Sequence, residues 1–254
     1  MKREILRRTA AAAGILVMSF MLILPVHQIQ AASKKKTIYV ISGITTKSGD
    51  ESYQFTYNDK GLIKKEVNGS LTNTFSYEGK KISEEKQVSG KEKTKLKFSY
   101  DTKGKLTKIV TTEADGKKTT VKYSYESGKV SEIKDGSTGS VWTLTYNGKG
   151  LVKKSRIKGV DGSSSSIRYW YNAQKDLKKM TTSEDVEESL SYKYNKYGRE
   201  SVTVKYKYKD KSRNTSEVYS YKYKKIKVPA SYVKAVKAQQ MDLANEPIAY
   251  LFLR

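Results

Sequence analysis

Along the middle of the chain, apolar side chains occupy every second position of short segments that each close on a tyrosine. Tyr53, Phe55 and Tyr57 form one such set. Leu96, Phe98 and Tyr100 form another, followed by Val121, Tyr123 and Tyr125, by Trp142, Leu144 and Tyr146, and by Ile167, Tyr169 and Tyr171. Alternation of aromatic and β-branched residues with Thr, Ser and Lys predicts β-strands buried on one face only. Each segment stops at Asn, Asp or Glu, and a glycine follows in most copies, as in Tyr57-Asn-Asp-Lys-Gly-Leu62 and Tyr146-Asn-Gly-Lys-Gly-Leu151. Such residues suit tight turns in which the backbone enters positive φ. An aliphatic residue five or six positions after the tyrosine opens a second strand, so one unit is one β-hairpin.

The unit recurs. Tyr57, Tyr77, Tyr100, Tyr125, Tyr146, Tyr171, Tyr194 and Tyr221 mark eight copies spaced 20 to 27 residues apart, the last two weaker than the rest. An isolated hairpin is marginal in water, and an open sheet of more than about ten strands curls or splits. The expected fold is therefore all-β: an antiparallel meander of about eight hairpins forming a long curled or rolled sheet, tyrosines and aliphatics inward. A simple barrel of that size would enclose a hollow interior unless something filled it.

The ends differ from the repeats. Thr37 to Ser42 reads as a first, capping strand, and after Pro229 the composition shifts to Ala, Val, Lys and Gln, with Ser231 a plausible N-cap for a short helix through Gln240. The tail carrying Ile248, Tyr250, Leu251 and Phe252 is suited to cover an exposed end of the array. At the other terminus, Lys2, Arg3, Arg7 and Arg8 precede an uncharged run from Ala10 to Val26 and then Ala31-Ala32, the layout of a secretory signal peptide. The expected organisation is thus a signal peptide over 1–32, a repeat domain over 33–228 and a C-terminal capping segment over 229–254. Membrane contact is expected only through an uncleaved leader, an alternative that its apolar length leaves open.

A tyrosine with a second aromatic two residues before it, an Asx or Glu turn, a glycine and then an aliphatic residue resembles the YD repeats of Rhs-type proteins. Phe98-Ser-Tyr100-Asp101-Thr-Lys-Gly104-Lys-Leu106 is the nearest single copy, and the likeness runs from Tyr53 to about Ile226. The second motif residue is Asp only there, and Asn, Glu or Lys elsewhere. The resemblance implies an extended, curling β-sheet and a secreted or surface setting, with no catalytic role carried over.

Chemistry is limited by what is missing. The chain has no cysteine, and its one histidine, His27, lies in the leader. Disulfides, Ser-His and Cys-His nucleophiles and zinc-type sites are thereby disfavoured, so the expectation is no enzyme, no catalytic residue, no metal and no cofactor. Paired acids such as Glu84-Glu85, Glu184-Asp185 and Glu187-Glu188 read as solvated charge, although a carboxylate-based glycan hydrolase is the enzyme alternative. Asp135-Gly136 and Asp161-Gly162 lack the ligand spacing of a calcium loop. Residues 1–32 carry four basic residues and one acidic residue, so their removal takes the formal charge from +24 to +21. Charge of that size attracts polyanions. Cell-wall polymer or anionic polysaccharide is the favoured partner, with Trp142, Tyr169, Trp170 and Tyr171 as candidate stacking surfaces for sugars. Trp170 stands out because alternation puts it on the polar face. A protein partner or a purely structural role remains open. Nucleic acid is disfavoured, since in runs such as Tyr192-Lys-Tyr194 the tyrosines and lysines point to opposite faces.

Overall fold

The computed structural model describes residues 34–47, 52–183 and 186–245. The expected signal peptide over 1–32, Glu184-Asp185 and the apolar tail after Asn245 lie outside them. Among the described residues sixteen strands run in chain order. The first eight are β1 (Lys35–Thr46), β2 (Ser52–Tyr57), β3 (Ile63–Asn68), β4 (Leu71–Glu78), β5 (Lys81–Ser89), β6 (Glu92–Tyr100), β7 (Leu106–Thr112) and β8 (Lys118–Glu126). The others are β9 (Lys129–Asp135), β10 (Val141–Tyr146), β11 (Val152–Lys158), β12 (Ser164–Tyr171), β13 (Leu177–Thr182), β14 (Glu187–Asn195), β15 (Gly198–Lys207) and β16 (Thr215–Pro229).

Every strand pairs antiparallel with its chain neighbours, and β1 also pairs with β16, with Ile41 opposite Tyr223. The sheet is therefore a closed barrel, which corrects the expected long curled or rolled sheet. Closure pairs the two strand edges that an open meander would leave exposed. The predicted hairpins are present as units, and the first strand extends beyond Thr37–Ser42 to all of β1. After β16, a 3-10 turn over Ala230–Tyr232 leads into α1 (Val233–Asn245), so the helix begins and ends later than Ser231 and Gln240 suggested.

Alternation turns the apolar residues inward. Ile41, Phe55, Ile63, Phe75, Leu96, Phe98, Ile109, Ile133, Leu144, Met180, Val202 and Tyr219 belong to one buried cluster that runs round the inner wall. A smaller cluster of Val40, Leu62, Val228 and Val236 fastens α1 to the wall. Gly61 is needed there: its φ is +78°, and a Cβ would stand 2.2 Å from Val228 Cγ1.

The turns follow the sequence closely. Asn58 Oδ1 accepts from the amides of Lys60 and Leu62, and Asp101, Asn147 and Asn172 hold their own turns in the same way. Beside each turn, the pairing slips by one residue at the repeat tyrosine: between Thr56 and Tyr57, Ser76 and Tyr77, Ser99 and Tyr100, Ser124 and Tyr125, Thr145 and Tyr146, and Trp170 and Tyr171. A bulge of this kind bends the strand and interrupts its ladder of hydrogen bonds.

The carbonyl at each bulge is taken by the tyrosine of the next repeat. Tyr77 Oη donates to Ile63 O (2.7 Å), Tyr100 to Ile82 O (2.8 Å), Tyr125 to Leu106 O (2.9 Å), Tyr146 to Val130 O (2.7 Å) and Tyr171 to Val152 O (2.9 Å). Tyr57 donates to Ile41 O, at the bulge in β1. In the last two copies the marker tyrosines are not the ones that bond. Tyr192, not Tyr194, reaches Leu177 O (2.5 Å), and Tyr223, not Tyr221, reaches Arg199 O (2.8 Å). Tyr194 turns to the Asp176 carboxylate, and Tyr221 holds the helix through Ala244 O (2.6 Å).

Helix α1 occupies the barrel end that carries these turns. Gln239 Oε1 accepts from Ile63 N (3.1 Å) and Gln240 Oε1 from Ile41 N (2.5 Å), while their amides donate to the Tyr77 and Tyr57 hydroxyls. At the helix C-terminus Arg199 donates to Ala244 O and Asn245 Oδ1 and pairs with Asp176 at 2.6 Å. Burial pushes the tyrosine phenols up, to about 12 at Tyr125 and Tyr146 and higher at Tyr100, so they remain protonated donors.

Removing one hydroxyl leaves the ring in place and orphans one carbonyl. Tyr100→Phe should therefore lower stability by about 1 to 2 kcal/mol in urea unfolding. Tyr39→Phe, on a side chain 44% exposed, should leave it unchanged.

Candidate functional site

The four aromatic residues picked out for sugar stacking do not form one surface. Tyr169 is buried and shares a 3.0 Å hydrogen bond with Ser155. Tyr171 is committed to the Val152 carbonyl. Trp142 faces inward between Ile133 and Ile157. Only Trp170 reaches the outside, 43% exposed, opposite Lys179, whose Nζ stands 5.5 Å from the ring centre.

A second exposed aromatic group was not visible in the sequence. Tyr39 of β1 stacks on Tyr197 of the β14–β15 turn with ring centres 4.4 Å apart, and Tyr223 lies 6.1 Å from Tyr197. Lys196 Nζ sits 5.0 Å from the Tyr197 ring. These residues are brought together by the pairing of β1 with β16, and no local periodicity signals a contact between positions so distant in the chain.

The outer wall is basic, and in places it sets like charges directly opposite one another. Lys108 pairs with Lys122 and Lys122 with Lys134, making a row across β7, β8 and β9. Lys154 pairs with Arg168 across β11 and β12. Glu132 stands 3.4 Å from Lys134. Facing like charges cost stability.

The paired acids separate across the wall. Glu84 and Glu187 point outward, where Lys95 lies 2.7 Å from Glu84 and Lys179 2.5 Å from Glu187; these hydrogen-bonded lysines hold both carboxyls below their ordinary value. Their neighbours were expected to be solvated, and that expectation is corrected: Glu85 is 2% exposed and Glu188 4% exposed, both on the inner face. Glu66 joins them at 3%. Desolvation pushes Glu66 and Glu85 up to about 7 and Glu188 up to about 8. The loop acids Asp135 and Asp161 instead hold their own turns through Ser137, Thr138 and Ser163. Among the described residues no group of three or more His, Cys, Asp or Glu could hold a metal ion.

Residues 41–154 match the family model described as Teneurin YD-shell. Among solved structures, a porin-like protein from Bacteroides uniformis superposes with a TM-score of 0.52 at 12% identity, covering 72% of this chain and 98% of that one. At that identity the likeness is one of fold. A porin-like protein from Bacteroides vulgatus matches over the same shares at 10% identity with a TM-score of 0.35. The Tc holotoxin pore of Photorhabdus luminescens matches at 12% identity and a TM-score of 0.35, over 66% of this chain and 10% of that one. No curated protein matches the chain by sequence.

Glu188 supplies a pH test. Its folded-state pKa lies above the ordinary 4.5 of a glutamate, so between those values the folded chain holds a proton that the unfolded chain has released. The stability associated with this group is therefore present below about pH 5 and lost as pH rises through 8. Glu188→Gln should raise the melting temperature at pH 8 by about 5 °C, for a gain on the order of 2 kcal/mol, with little change at pH 5. Equal shifts at both pH values would mean that the carboxyl is not buried in its neutral form.

Proposed function

We propose that this YD-repeat protein is a non-enzymatic, closed β-shell that acts outside the cell or at its surface and binds anionic polymer through its outer wall. Cell-wall polymer or an acidic polysaccharide is the favoured ligand. The observation that carries the reading is the row Lys108–Lys122–Lys134. A wall selected for stability alone would alternate signs across neighbouring strands, whereas a row of cations matches a polymer of regularly spaced anions.

The orientation of the wall supports the same reading. A barrel that spans a bilayer turns apolar residues out to lipid and polar ones in, and here the pattern is reversed, with Phe75, Ile109 and Leu144 inside and lysines outside. The porin-like relative is therefore a guide to architecture and not to lipid contact. A glycan hydrolase needs two carboxyls flanking a cleft that admits a sugar chain. Among the described residues the paired acids supply none: in Glu84-Glu85 and in Glu187-Glu188 one carboxyl is held by an outer lysine and the other is enclosed by the inner wall. Trp170 and the Tyr39–Tyr197 stack add ring faces on the outer side, each with a lysine nearby, an arrangement suited to an acidic sugar or to an acidic segment of a protein partner.

The test is retention on immobilised acidic polysaccharide and on purified cell wall along a salt gradient. Charge-driven binding weakens steeply as ionic strength rises. The triple variant Lys108→Gln, Lys122→Gln, Lys134→Gln should elute at distinctly lower salt while melting no lower than the parent. Trp170→Ala and Tyr197→Ala divide the aromatic contribution. Unchanged elution of the triple variant would overturn the reading.

A further inference from the structure

The positions three residues after the bulge residues form a register around the inner wall: Glu66, Glu85, Ile109, Ile133, Ser155 and Met180 follow Ile63, Ile82, Leu106, Val130, Val152 and Leu177. Three of these six are apolar, one is a serine bonded to Tyr169, and two, in adjacent hairpins, are glutamates. The glutamates are accompanied by amides. Glu66 lies opposite Asn73, and Asn73 opposite Gln87, so carboxylate, amide and amide form one row across β3, β4 and β5, with Glu85 one inward step from Gln87 on β5. Gln87 Nε2 donates to Glu85 Oε1 at 2.8 Å, and the Asn73 side chain bonds to Glu66.

Oxygen is left over. Glu66 Oε2 and Asn73 Oδ1 are both buried without a hydrogen-bond partner, on side chains 3% and 6% exposed. Buried acceptors left unsatisfied cost about 1 to 3 kcal/mol each, and among the described residues no lysine or arginine pairs with Glu66 or Glu85. Phe55, Phe75 and Leu96, directly opposite these acids, keep the surroundings apolar.

We propose that Glu66, Asn73, Glu85 and Gln87 form a binding site for one hard divalent cation of the calcium class. The donors are all oxygen: two carboxylates and two amide carbonyls, the set that calcium takes with water completing its shell. Two negative charges match one divalent ion, and the bound ion would satisfy Glu66 Oε2 and Asn73 Oδ1 together. Access is short. The next inward-facing row, Asn68, Leu71 and Ser89, borders the tight turns at Gly69 and Gly90, at the barrel end away from α1.

The full chain is stripped with chelator and titrated with terbium, whose luminescence is excited through tyrosine, and then with calcium as competitor. Saturable terbium emission displaced by calcium, together with a rise of about 3 °C or more in melting temperature at about 1 mM calcium, is expected for a site of extracellular affinity. In Glu66→Gln/Glu85→Gln the emission should fall at least tenfold and the calcium-dependent rise should vanish. Glu84→Gln, on the outer face, should behave as the parent. Loss of binding is separated from loss of fold because the double variant, freed of two buried carboxyls, should melt at or above the calcium-free parent. The proposal is overturned by the absence of a calcium effect up to about 10 mM, well above that affinity range, by an equal effect in the double variant, or by magnesium matching calcium at the same concentration.

Discussion

The bond from each repeat's tyrosine hydroxyl to the bulge carbonyl of the hairpin before it is what the remainder of this barrel depends on. A bulge is needed beside each turn to curve the sheet, and it removes one carbonyl from the strand ladder. A buried carbonyl without a partner is costly. The tyrosine of the next hairpin supplies a donor on a rigid ring long enough to cross from one strand pair to the next, as at Tyr100 and Ile82 or Tyr146 and Val130. Curvature and its compensation are thus encoded in the same motif. Where the array meets its own start, the rule still operates: Tyr57 takes the carbonyl of Ile41 at the bulge of β1, the strand that closes against β16.

Helix α1 completes this arrangement at the one place where the repeat cannot. Ile41 and Ile63 have amides that point to the capped end, and the adjacent glutamines Gln239 and Gln240 accept from them. The same two side chains donate to the hydroxyls of Tyr77 and Tyr57, so the helix is joined to the tyrosine ladder. At its other end Arg199 stands where the other repeats place an aliphatic residue, and the substitution is explained by its bonds to Ala244, Asn245 and Asp176. The weakest sequence copies of the motif are therefore the ones altered to hold the helix.

This division explains what could be read in advance. Strands, turns and the hairpin unit were legible because alternation and Asx-Gly chemistry are local, and Asn58, Asp101 and Asn147 perform the turn role that their identity suggests. Closure was not legible, since the partners Ile41 and Tyr223 are linked by no periodicity. Nor was the choice of Tyr192 over Tyr194 and of Tyr223 over Tyr221: in Tyr-Lys-Tyr both rings share a face and alternation cannot rank them. The inward glutamates were missed for a related reason. Counting by twos from Ile82 puts Glu84 inside, but the bulge inserts a residue and shifts the parity, so Glu85 faces in and Glu84 out.

The repeat also provides its own control for judging the polar groups. Ile109, Ile133 and Met180 show that the slot of Glu66 and Glu85 accepts an apolar side chain with no change in strand pairing. Two adjacent departures toward carboxylate, accompanied by two amides, are therefore a local feature and not a demand of the fold. The same comparison applies on the outside. Thr74 and Ser76 occupy outward positions on β4, so an outward strand position does not require a lysine. The stacking of Lys108, Lys122 and Lys134 is a local feature in the same sense. Inside and out, the positions that cost stability are the ones where the repeat could have done without the charge.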